Sequence, residues 1–179
     1  MKRRAIVVGL AALAGAVAFV GSTPGLSETN DPLVGTWQTP LIPLAKVSAT
    51  LSAHGYTATQ IDNFLHKNGH YVKGLTIRIR FYREGGAPFQ IVYSWDPTHG
   101  ALPDGDHGPY SLLAGNRVVY RGTDPPTNTW RTTFAYTVTA TQLKLRFISL
   151  VEPGVGTQQL HSDEKRPILM ASTVFKKLG

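Results

Sequence analysis

The 179-residue chain contains no cysteine. That excludes disulfides, thiol catalysis and cysteine-ligated metals, so packing and hydrogen bonding alone must hold the fold. Acidic residues are also scarce, 11 against 18 lysines and arginines, and the formal net charge is +7. No Gly-x-Ser-x-Gly, phosphate-binding loop or dinucleotide fingerprint occurs, which leaves serine hydrolase, kinase and dehydrogenase chemistry without support. There is no internal repeat and no low-complexity tract. The one long apolar run, Ala5 to Gly21, has 17 residues. A membrane-spanning helix needs roughly 20.

That run follows Met1-Lys2-Arg3-Arg4 and is broken by Ser22-Thr23-Pro24-Gly25. A basic start, an apolar stretch and small residues after it form the pattern of a secretory leader. A cut after Ser22 or Ser27 leaves small residues at the cleavage site; an uncleaved anchor is the alternative. The expected organisation is therefore a signal peptide or N-terminal anchor over residues 1–27 and one domain over 28–179. The protein is expected to be secreted or attached to the cell envelope. Outside the leader, 15 basic residues stand against 11 acidic ones. This small excess hints at anionic surfaces. Spread along alternating positions, it argues against nucleic acid.

Period-two alternation dominates the remainder of the chain. Leu33 to Thr39 reads as a first strand, stopped by Pro40. Leu44, Val47 and Leu51 share one helix face, and Gly55 supplies a stop. Thr57-Ala58-Thr59-Gln60 has the capping-box form and starts a second short helix through Ile61, Phe64 and Leu65, ended by Gly69. From Leu75 to Tyr82 apolar residues alternate with Thr76, Arg78 and Arg80, and Phe89, Ile91, Tyr93 and Trp95 resume the alternation after a turn at Glu84-Gly85-Gly86-Ala87-Pro88. A loop is expected over 97–109, a hairpin turn at Gly115-Asn116, and a second loop over 122–129. Trp130 to Val138 and Leu143 to Ile148 alternate again, and Ile168 to Leu178 is compatible with strand or helix. The result is a mainly β domain of up to eight strands in a meander, with a short helical pair after the first. Such a meander protects its edges best by closing into an antiparallel β-barrel.

Leu33-Val34-Gly35-Thr36-Trp37 on the first strand of such a meander resembles the opening of lipocalin-like (calycin-type) barrels. Gly108-Pro109-Tyr110 and the Phe134 to Val138 strand extend the resemblance to lipocalin-like domains of secreted actinobacterial proteins of unassigned function. The likeness implies a barrel in which Trp37 closes one end, Gly35 permits close packing, and a ligand sits above the tryptophan. It also implies a basic residue packed on the ring, for which Arg146 is one candidate.

Asp96, His99, Asp104, Asp106 and His107 fall in one twelve-residue stretch. Carboxylates and imidazoles so close suit metal coordination or acid–base work, but Asp-Pro, Pro-Asp-Gly and Asp-His-Gly are also ordinary turn chemistry. His66 and His70 have the i, i+4 spacing of helical zinc ligands, without a following catalytic glutamate. Neither group is taken as a metal site, and no cofactor is expected. The aromatics point elsewhere. If the faces of Phe89, Tyr93 and Trp95, and of Trp130, Phe134 and Tyr136, turn inward with Tyr110, they line a cup suited to a small apolar or amphipathic molecule. Arg78, Arg80, Arg131 and Arg146 most simply face solvent; one inward arginine would argue instead for an anionic ligand. The functional expectation is an exported small-molecule-binding barrel. The alternatives are a cofactor-independent cyclase of polyketide, antibiotic-type biosynthesis, acting by confinement of its substrate, and an envelope interaction module with a filled core.

Overall fold

Alternation becomes strand through most of the chain. The computed structural model describes residues 31–68, 70–99, 105–124, 128–151 and 164–179. Its strands are β1 (Gly35–Gln38), β2 (Ile42–Pro43), β3 (Gly74–Glu84), β4 (Ala87–Trp95), β5 (Asp106–Leu113), β6 (Arg117–Asp124), β7 (Asn128–Val138), β8 (Gln142–Val151) and β9 (Val174–Leu178). Each strand pairs antiparallel with its neighbours in the order β1-β9-β8-β7-β6-β5-β4-β3. The ring closes because β1 also pairs with β3, Trp37 lying opposite Ile79. The two-residue β2 extends the edge of β3. The architecture is a closed eight-strand antiparallel barrel, compatible with a lipocalin-like fold.

Helix α1 (Leu44–Ala53) buries Val47 and Leu51, two of the three residues that set its apolar face. Gly55 follows with φ +86°, a conformation glycine adopts without steric cost. Helix α2 (Ala58–Asp62) begins with the expected capping box. The Gln60 amide donates to Thr57 Oγ1 at 3.3 Å, and the Thr57 amide donates to Gln60 Oε1 at 2.9 Å. Thr57→Ala is expected to cost about 1 kcal/mol of unfolding free energy in a denaturant titration. A π-helical turn, Asn63–Asn68, continues α2. Gly69, the expected stop, lies outside the described residues.

The C-terminal segment, compatible with helix or strand, is both. Helix α3 (Lys165–Ala171) holds Pro167 in its first turn, where the missing amide hydrogen costs no bond, and β9 follows. Two expected loops are shorter than the turn residues implied. Strands β6 and β7 run on to pair Gly122 with Trp130 and Asp124 with Asn128. Strand β5 begins at Asp106, despite Pro109. The proline falls where β5 changes partner, from β4 over Asp106–Pro109 to β6 over Tyr110–Leu113. In β8 the register shifts opposite Thr133/Phe134. The bulged Ile148 is exposed, so the apolar alternation of β8 resumes at Leu150 one position out of step.

The inner faces are locked by register. Ile77, Ile79 and Phe81 of β3 are buried inside with Val92, Tyr110, Val118, Tyr120, Phe134, Leu143, Leu145 and Phe175. The β3–β4, β5–β6 and β7–β8 turns and the C-terminal end of β9 lie at one end of the ring. The helices are inserted between strands at the other end, where α1 and α3 pack on each other and on the barrel. Ile168, Leu169 and Met170 of α3 are fully buried. Among the described residues no helix is long and apolar enough to cross a membrane.

Candidate functional site

Trp37 sits on the inner face of β1 with its ring fully buried. Its indole Nε1 donates to the Leu33 carbonyl at 2.7 Å, which satisfies the one polar atom that burial would otherwise strand. The Lys177 ammonium lies over the ring, 5.3 Å from its centroid. Lys177 of β9, rather than Arg146, is therefore the basic partner of the tryptophan. Arg146 is exposed on β8, and Lys177 is brought there by the β1–β9 seam, in which it is the register partner of Trp37. Gly35 makes room for it. Its φ is +138°, and a side-chain carbon there would meet Lys177 Cε at 2.9 Å.

The interior is organised as rows of facing residues. Tyr110, Tyr120, Thr132 and Leu150 lie opposite one another across β5 to β8, and Leu112, Val118, Phe134 and Phe147 form the next row. The rings interlock. Tyr120 stacks on Phe134 at 5.5 Å and meets Trp130 edge-on at 5.8 Å; Phe134 meets Phe147 at 5.9 Å; Phe81 meets Tyr110 at 5.1 Å. The Tyr120 hydroxyl contacts the Met170 sulfur of α3 at 3.8 Å. Burial pushes the Tyr120 phenol well above its ordinary range, against a smaller opposing effect of the Thr132 hydroxyl, so it stays neutral.

Of the expected lining residues, Tyr110, Trp130, Phe134 and Tyr136 belong to this inner face, Tyr136 opposite Leu145. Phe89, Tyr93 and Trp95 do not. Their strand pairs Val92 with Ile79 and Gln90 with Phe81, which places Gln90, Val92 and Ser94 inside and the three aromatics on the outer surface. There they pair with the outward residues of β3. Arg78 lies over the Trp95 ring at 5.2 Å, Tyr82 packs on Phe89 at 6.2 Å, and Arg80 covers Tyr82 at 5.4 Å. The expectation that this aromatic face turns inward is thus corrected. Sequence reasoning also missed Gln90, a polar residue only 1% exposed on the inner face.

The acidic and histidine stretch separates into structural parts. Asp96 is buried and clamps two loops. Its Oδ2 accepts from the amides of Val72 (2.6 Å), Lys73 (2.7 Å) and Gly74 (3.4 Å), and its Oδ1 accepts from the Thr98 amide (2.9 Å) and hydroxyl (2.7 Å). Burial alone would raise its pKa; the hydrogen bonds from Thr98, Lys73 and Val72 outweigh that and hold the carboxyl well below the usual range. Asp106 pairs with Arg166 of α3. His107 is exposed on β5, at the register partner of the outward Ile91. Asp104 lies outside the described residues. His66 is on the surface, 3.9 Å from Asp62, an ordinary i, i+4 pair, and His70 is exposed. Among the described residues no group of three or more such side chains is placed to hold a metal ion.

No protein-family model, curated protein or solved structure matches this chain.

Proposed function

We propose that this protein is an exported binding barrel for a small apolar or amphipathic molecule, related in fold to the lipocalin-like domains of secreted actinobacterial proteins. The observation that carries the reading is the interior. A closed ring of eight strands turns Tyr110, Tyr120, Trp130, Phe134 and Phe147 toward one another, with the Gln90 amide and Thr132 hydroxyl among them. Flat apolar walls with a few polar groups are the usual makeup of a small-molecule site. The basic and apolar residues 2–21 support export. The fold needs no disulfide, since Trp37, Lys177 and the seam close it without one.

Native mass spectrometry of the protein isolated from its producer is expected to show a mass excess of one small molecule, released on denaturation. Protein that carries no such mass, and that takes up no apolar probe added in excess, would leave the filled-core interaction module as the better reading. Export is tested separately. The mature protein is expected in the secreted or envelope fraction with its N-terminus after Ser22 or Ser27, and a product confined to the cytoplasm would refute it.

A further inference from the structure

We propose that Arg83 and Gln90 form a carboxylate-recognition site on the inner face of β3 and β4, so that the bound molecule is an apolar body with one anionic end. This rests on the binding-barrel reading and adds to it the chemistry of the ligand. Gln90 is 1% exposed, and neither its amide nitrogen nor its amide oxygen has a hydrogen-bond partner. Buried side-chain amides in proteins are nearly always bonded, and leaving one unbonded is costly. A leucine or methionine would fill the same volume without that cost, so an amide retained at this place argues for a partner from outside the chain.

The second orphan group lies on the adjacent strand. Arg83 is opposite Pro88, two residues beyond the Phe81–Gln90 pair, and therefore shares the inward parity of Phe81. The arginines that the alternation made conspicuous, Arg78, Arg80, Arg131 and Arg146, all have outward parity. Arg83 Nη1 is anchored to the Gly86 carbonyl at 2.9 Å, while its Nε is buried without a partner. Diagonal positions on neighbouring strands are within reach of long side chains. A guanidinium N–H and an amide N–H placed so offer two donors to one carboxylate, the pairing for which arginine is best suited.

Among the described residues no carboxylate is bonded to either group. Asp106, the carboxylate of inward parity one step along opposite Val92, is paired with Arg166, and Glu84 at the turn is exposed with outward parity. On β5 the residue facing Gln90 is the buried Gly108, which has no side chain to meet the amide. The apolar body of the ligand would lie against Phe81 and Tyr110, beside the amide.

The test compares two probes of one shape, 2-naphthoate and 2-naphthylmethanol, titrated calorimetrically into the full-length protein at neutral pH. Naphthoate is expected to bind at least about tenfold more tightly, the order of a charge-assisted hydrogen bond. In Arg83→Met and in Gln90→Leu the ratio of the two affinities should collapse toward one, and Gln90→Leu should also raise Tm. Gln90→Met serves if the leucine variant does not fold. Equal affinities in the wild-type protein would overturn the site and leave the barrel reading standing. That is the result if Arg83 and Gln90 simply bond each other on a small rearrangement. A preference that survives in both variants would also overturn the site. If neither probe binds the wild-type protein, the binding reading itself fails and the site with it.

Discussion

Trp37→Ala is expected to lower Tm by on the order of 10 °C. Truncating a fully buried tryptophan costs about 3–5 kcal/mol, through lost apolar contact and the cavity left behind. For a domain of this size each kcal/mol shifts Tm by about 2–4 °C. The ring is fully buried, its nitrogen is bonded to Leu33, and it underlies the Lys177 ammonium at the seam of the barrel. Trp37→Phe should recover part of the loss, because a flat ring remains beneath the lysine. Thermal melts followed by circular dichroism decide the matter. A Tm within about 2 °C of wild type for the alanine variant would mean that β1 does not close the ring.

The second large effect belongs to Asp96. Replacing it by alanine strips the acceptor from the amides of Val72, Lys73 and Thr98 and is expected to cost about 3 kcal/mol, since hydrogen bonds to a charged group are each worth about 1.5–3 kcal/mol. The pH dependence has a definite sign. An aspartate whose folded pKa is held below its unfolded value of about 3.9 contributes stability that is present above that value. The contribution is lost as pH falls toward the folded pKa. Wild-type Tm should therefore drop below about pH 4 more steeply than that of Asp96→Asn. Parallel pH profiles would show that the clamp adds nothing. The same variant separates structure from chemistry, because a carboxylate saturated by five donors has no lone pair left for catalysis.

Local signals in the sequence were translated faithfully. The capping box at Thr57, the stop at Gly55 and the alternation of β3 and β7 each depend on residues a few positions apart, and each is found where those residues sit. What failed was parity. In β4 the more apolar set, Phe89, Ile91, Tyr93 and Trp95, faces outward because the hairpin register matches Val92 to Ile79, and a slip of one residue exchanges the faces. A two-residue Gly85-Gly86 loop joining Glu84 to Ala87 implies that register, so the signal was present in turn length rather than in hydropathy. Gln90 was overlooked for the same reason, being the polar residue on what looked like the solvent face. The Lys177–Trp37 contact and the Asp96 clamp on Val72–Gly74 join residues far apart in the chain, and no pattern of spacing announces them.

The ring is sealed by a strand of four residues whose neighbours are β3 on one side and β9 on the other, so that Thr36 lies beside Leu178. A nascent chain can form the β3–β4 and β7–β8 hairpins early, yet the cylinder stays open until its final strand has been synthesised. Pairing across so long a separation makes for slow folding. A polypeptide with that property remains threadable throughout its synthesis, until pairing of the last strand locks it shut.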